Sequence, residues 1–134
     1  MIPWDELMAG VEAEYHHACE KHPKFADLLM EEINPPEAAE LFVKWSLLTR
    51  RRDNDERIVQ GKITAGKVLH EEILEIYEAV IVEHNREHAI EKCNQAIAVC
   101  LRLKEELMKQ RPFGRGYYQE QLKAEPINAE DYKE

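Results

Sequence analysis

Glu71, Glu72 and Glu75 fall within five positions of the stretch HEEILEIYEAV, residues 70–80. Carboxylates this close together are a donor set for a hard cation, which takes oxygen ligands. On an exposed helix they would carry no information. On a packed face each costs several kcal/mol of desolvation unless it is neutralised or paired. With Ile76 set to 0° and about 100° per residue, Leu69, Ile73 and Val80 fall within about 60° of it. Glu72 then lies at about −40°, inside that apolar stripe, and Glu75 at about −100°. Glu71 and Glu78 occupy the one polar sector, at about −140° to −160°. Glu72 and Glu75 are three residues apart and can reach one ion. They can equally pair with a lysine or arginine on another helix, and the residues alone leave both readings open.

A cation site would draw further ligands from the next helix. Its apolar stripe, centred on Ile97, holds Ile90, Leu101, Cys93, Cys100 and Met108 within about 60°. Glu91 and Asn94 flank that stripe and offer oxygen. Lys92 and Gln95 lie on its weaker side. Basic residues that could meet phosphates are Arg50, Arg51, Arg52, Lys62 and Lys67. A solvated helix end explains the arginines equally well, and exposure explains the two lysines. His84 and His88 have a spacing that can bind zinc, but without an H-E-x-x-H pattern they read as surface histidines at a helix junction. Trp45 could stack on a base, although its helical spacing with Leu41 and Leu48 reads as core.

These side chains need helices to position them. The chain has 134 residues, 44% hydrophobic and 34% charged, with only 5 Gly and 6 Pro. That length supports one domain with a core, and strand signals are nearly absent. The spacing predicts helices over residues 4–20, 25–33, 36–52, 63–83 and 87–110. His22-Pro23, Asn34-Pro35-Pro36, the charged run 50–55, the turn 84–86 and the run 111–116 separate or end them. The expectation is an all-α antiparallel bundle of four to five helices over 1–112, with a polar C-terminal tail over 113–134.

The net charge of −9 argues against binding a nucleic-acid backbone. No apolar run approaches the roughly 20 residues of a membrane span. The first residues lack the pattern of a signal peptide, so a cytoplasmic location is expected. The odd count of three cysteines, Cys19, Cys93 and Cys100, argues against a disulfide framework, and Cys93 and Cys100, on one helix face, read as small buried hydrophobes.

Glu71-Glu72-Ile73-Leu74-Glu75 matches the E-E-x-x-E motif of the MazG-like, all-α nucleoside triphosphate pyrophosphohydrolases. Lys92-Cys93-Asn94-Gln95-Ala96-Ile97-Ala98, on the next helix, is similar to the E-C-x-Q-V-A-A of the family's phage-associated branch. The resemblance spans about residues 60–104. Glu20-Lys21-His22-Pro23-Lys24-Phe25 resembles that branch more faintly. It implies a homodimer or dimer of dimers that binds Mg²⁺, or Mn²⁺ in its place, and a nucleoside triphosphate. The implied reaction is attack by water between the α and β phosphates, giving a monophosphate and pyrophosphate. Glu72 and Glu75 would be metal ligands, and Glu71 a third ligand or the general base. Lys62, Lys67, Lys92 and Gln95 would face the substrate.

The family's second motif, E-x-x-D, becomes Lys92-x-x-Gln95 in the register of best similarity. A lysine cannot ligate Mg²⁺, but it can stand in for the cation. Shifting by one residue gives Glu91-x-x-Asn94, which could supply ligands. The alternative function is therefore a non-catalytic helical dimer of the same fold that binds a nucleotide or a protein.

Overall fold

The computed structural model of the chain describes residues 2–23 and 36–110. Every regular element in these residues is helical: α1 (Trp4–Met8), α2 (Val11–Lys21), α3 (Pro36–Gln60), α4 (Ala65–Tyr77) and α5 (Arg86–Lys109). The predicted helix 25–33, the proline punctuation at 34–35, the stop at 111–116 and the tail 113–134 lie outside the described residues. None of the helices described is long and apolar enough to cross a membrane.

The third helix does not end at its charged run. It continues through Arg50–Asp55 to Gln60, because that run contains no glycine or proline and its charges pair along one face. Arg57 Nε donates to Asp53 Oδ2 at 3.0 Å, one turn away. The real stop is Gly61, whose φ of 70° is left-handed. Its N–H reaches the Ile58 carbonyl at 3.1 Å, and the next N–H, of Lys62, reaches Arg57 at 2.7 Å. That bonding pattern is a Schellman cap.

Helix α4 begins at Thr64, whose hydroxyl accepts from the Lys67 N–H at 3.3 Å. Its last turn, Glu78–Val82, widens to π geometry around the fully buried Ala79. The chain then reverses through His84, at φ 51°, and Asn85 caps α5 by accepting from the His88 N–H at 3.0 Å. The expected turn at 84–86 is therefore where the chain turns.

Helices α3, α4 and α5 pack in antiparallel order. Asn54 meets Lys67 and Glu71, whereas the earlier Arg51 meets Glu75 and Glu78. Glu75 meets Lys92, and Val68, nearer the start of α4, shares a groove with Val99 and Leu103. α1 rests on α5, where Leu7 is buried and Lys104 Nζ donates to the Ala9 carbonyl at 2.9 Å.

The buried apolar set among the described residues is small: Leu7, Val43, Leu47, Leu74, Ala79 and Ala89. The apolar stripes read from the sequence are largely turned outward. Trp45, expected in the core, is 69% exposed, and Leu41 and Leu48 are exposed with it. The buried stripe of α3 is Val43, Leu47 and Asn54, roughly opposite Trp45 around the helix. Ile90 and Ile97 of α5 and Ile73 and Val80 of α4 are also exposed. α5 instead meets α4 through Ala89, Lys92, Val99 and Leu103, so its packed face lies away from the Ile97-centred stripe. Cys93 and Cys100, expected as small buried residues, are exposed free thiols, as is Cys19.

Candidate functional site

The polar sector of α4 points into the protein. Glu71 and Glu78 face α3, and Glu75, only 8% exposed, lies between α3 and α5. Two cations hold Glu75: Arg51 Nη2 stands 3.2 Å from Oε1, and Lys92 Nζ stands 3.2 Å from Oε2. Lys92 also donates to Gln95 Oε1 at 3.3 Å. Of the two registers for the second motif, Lys92-x-x-Gln95 is the one that faces the glutamates. Glu91 and Asn94 lie on the exposed side of α5. Glu91 and Asn94 flank the Ile97 stripe, and that stripe faces outward.

Glu71, Glu72 and Glu75 each offer an oxygen within 4.8 Å of the others. Glu71 is held by Asn54, whose side-chain N–H₂ donates to Glu71 Oε1 at 3.1 Å. Glu72 differs from its neighbours. Its Oε2 is buried and accepts from no protein donor, the Glu72 carboxyl reaching a hydrogen bond only by sharing a proton with Glu75. Burial pushes the Glu72 carboxyl above its ordinary range, and the adjacent Glu75 pushes it further, against the opposing pull of Lys92. The donor set fits a divalent cation: it is all carboxylate oxygen, and one buried oxygen accepts from no protein donor.

Asn54, 3% exposed, is the polar hub. It donates to the Lys67 carbonyl at 3.1 Å as well as to Glu71, and it accepts from Arg50 Nε at 3.2 Å. Beside it, Arg50, Arg57 and Lys67 surround Asp53. Around the whole site the ion pairs are uneven: Arg50, Arg57 and Lys67 converge on Asp53, Arg51 and Lys92 on Glu75, and Arg51 also reaches Glu78.

The structure thus gathers Glu71, Glu72, Glu75, Lys67, Lys92 and Gln95. It leaves Lys62 exposed in the α3–α4 turn. Arg50 and Arg51 join the site rather than forming a solvated helix end. Sequence reasoning missed Asp53, Asn54 and Arg57. Their signal was present: Asn54 continues the Val43–Leu47 stripe once α3 is carried to Gly61. His84 and His88 do not share a helix, since His84 sits in the left-handed turn. His88 Nδ1 instead lies 2.5 Å from Glu83 Oε2.

Comparison of the chain with protein-family models, curated proteins and solved structures gave no match.

Proposed function

We propose that the chain is a nucleoside triphosphate pyrophosphohydrolase of the all-α type, with reduced turnover. The observation that carries this reading is the convergence of Glu71, Glu72 and Glu75 with the buried Glu72 Oε2, which accepts from no protein donor. These are the residues that resemble the family's first motif. Glu72 and Glu75 would hold Mg²⁺ or Mn²⁺, with Glu71 close enough to share it. A bound cation would neutralise triphosphate charge and lower the pKa of nearby water.

The chain's own residues do the rest. Glu71, steadied by Asn54, orients a water and takes its proton. The water oxygen bonds to a phosphorus of the α–β bridge as that atom's bond to the bridging oxygen breaks, releasing a monophosphate and pyrophosphate. Lys67 and Gln95 bind phosphate oxygens. A homodimer fits the same picture, because the outer faces of α4 and α5 present Ile73, Val80, Ile90 and Ile97 to solvent.

One observation favours a second reading. Lys92 and Arg51 already neutralise Glu75, so Lys92 can act as a tethered cation in the metal's place. The bundle would then bind a nucleotide or a protein without turning anything over.

Two measurements test the first reading and separate it from the second: the melting temperature in EDTA against millimolar Mg²⁺ or Mn²⁺, and pyrophosphate release from a panel of nucleoside triphosphates. A metal-dependent rise and pyrophosphate release, both lost in Glu72→Gln, are expected. A nucleotide-dependent rise in EDTA with no pyrophosphate released would replace the first reading by the second.

A further inference from the structure

Three cations share one carboxylate oxygen at the α3–α4 edge. Arg57 Nε donates to Asp53 Oδ2 at 3.0 Å, Lys67 Nζ lies 3.7 Å from it, and Arg50 Nη2 is paired with it. Arg50 and Arg57 are seven residues apart on α3, and Asp53 lies between them on the same face. Lys67 comes from the first turn of α4, where the peptide dipoles add positive potential.

The positive charge is not cancelled locally. Asp53 supplies one negative charge to three positive ones, and Glu71, which attracts Arg50 and accepts from Asn54, brings the negative total only to two. The four side chains are 16% to 36% exposed, so they are partly withdrawn from water yet open to a ligand. Holding like charges together costs energy in such a place. Burial, then neighbouring cations, push Arg50 and Lys67 below their ordinary values. A clamp between α3 and α4 would need no such excess, because Asn54 already ties the two helices with two hydrogen bonds.

We propose that Arg50, Arg57 and Lys67, gathered about Asp53 Oδ2, form an oxyanion site that binds a phosphate group. Guanidinium forks and a lysine ammonium are the donors that phosphate recognition uses. Lys67 and Glu71 are one helical turn apart, which puts the anion site beside the carboxylates. The site deepens the pyrophosphohydrolase reading, and its natural ligand, the phosphates of a nucleotide, rests on that reading. Binding of the anion itself does not.

The test is a thermal titration of the full chain with inorganic pyrophosphate in EDTA at constant ionic strength. A ligand bound by the folded state alone raises the melting temperature. The parent is expected to show such a rise. The Arg57→Gln, Lys67→Gln double variant is expected to need at least about tenfold more pyrophosphate for the same rise. Asp53→Asn, which removes the resident anion, is expected to bind several times more tightly. The ligand-induced shift is read for each variant against its own baseline, so a loss of stability does not mask the result. No rise in the parent, or an equal rise in the double variant, would overturn the proposal. Because divalent cations are excluded, failure here is distinct from failure of the metal-dependent reading. A parallel titration with a nucleoside triphosphate separates the two sources of phosphate: tighter binding than pyrophosphate assigns the site to a nucleotide, and equal binding to free polyphosphate.

Discussion

Lys92 Nζ stands 3.2 Å from Glu75 Oε2, on a carboxylate whose other oxygen is 3.2 Å from Arg51. An ammonium therefore reaches the carboxylate cluster from α5. The contact bears on both the stability of the bundle and its capacity for a cation.

Removing that ammonium should destabilise the bundle. The Lys92 and Glu75 side chains are 18% and 10% exposed, so the loss should fall somewhat short of that for a fully buried pair. Lys92→Ala is expected to cost about 1–3 kcal/mol in EDTA, read by urea denaturation. Lys92→Glu adds a fourth carboxylate. It should be less stable still in EDTA and show a larger Mg²⁺-dependent rise in melting temperature than the parent. A Lys92→Glu protein indifferent to Mg²⁺ would remove the cation site from consideration.

Glu72 makes a pH prediction. Its folded-state pKa is raised above the ordinary 4.5, chiefly by burial and next by Glu75. The folded state therefore holds the proton more tightly than the unfolded chain. The stability this contributes is fully present below the unfolded value and is lost as pH rises through the folded one. Glu72→Gln keeps a neutral donor at this position at every pH. In EDTA the variant should gain stability relative to the parent as pH climbs from about 4.5 toward neutrality. Melts across that window check it, and a constant difference between the two proteins would contradict it.

Asn54→Ala tests the polar hub. The substitution strips the Lys67 carbonyl, Glu71 Oε1 and Arg50 Nε of a buried partner. A loss of about 2–3 kcal/mol is expected by chemical denaturation. The distant exposed substitution Glu12→Gln should change stability by less than about 0.5 kcal/mol.

The small buried core of the described residues and the outward isoleucines of α4 and α5 make self-association a prediction. In a homodimer with little stable monomer, melting temperature depends on protein concentration. Sedimentation at micromolar concentration is expected to show a dimer or dimer of dimers. Ile97→Asp, on the exposed stripe, should lower both the sedimenting mass and the melting temperature. A parent that sediments as a monomer would refute the dimer.

Several features of this protein were legible in the sequence alone. The helical periods and the scarcity of glycine and proline are local properties, and the all-helical architecture follows from them. So does the clustering of Glu71, Glu72 and Glu75, because residues three and four apart on a helix must be neighbours. Which face of each helix turns inward was settled only by the tertiary structure. α3 and α5 each carry apolar residues on more than one side, so their own wheels cannot choose. The packed face of α5 runs through Ala89 and Lys92 rather than Ile97. That rotation put Lys92 on Glu75 and left Glu91 outside. The inward turn of the Val43–Leu47–Asn54 face of α3 brought Asn54 and Asp53, read as the charged end of a helix, into the site. Distant segments had to meet before those charges had partners, and no local pattern encodes that meeting.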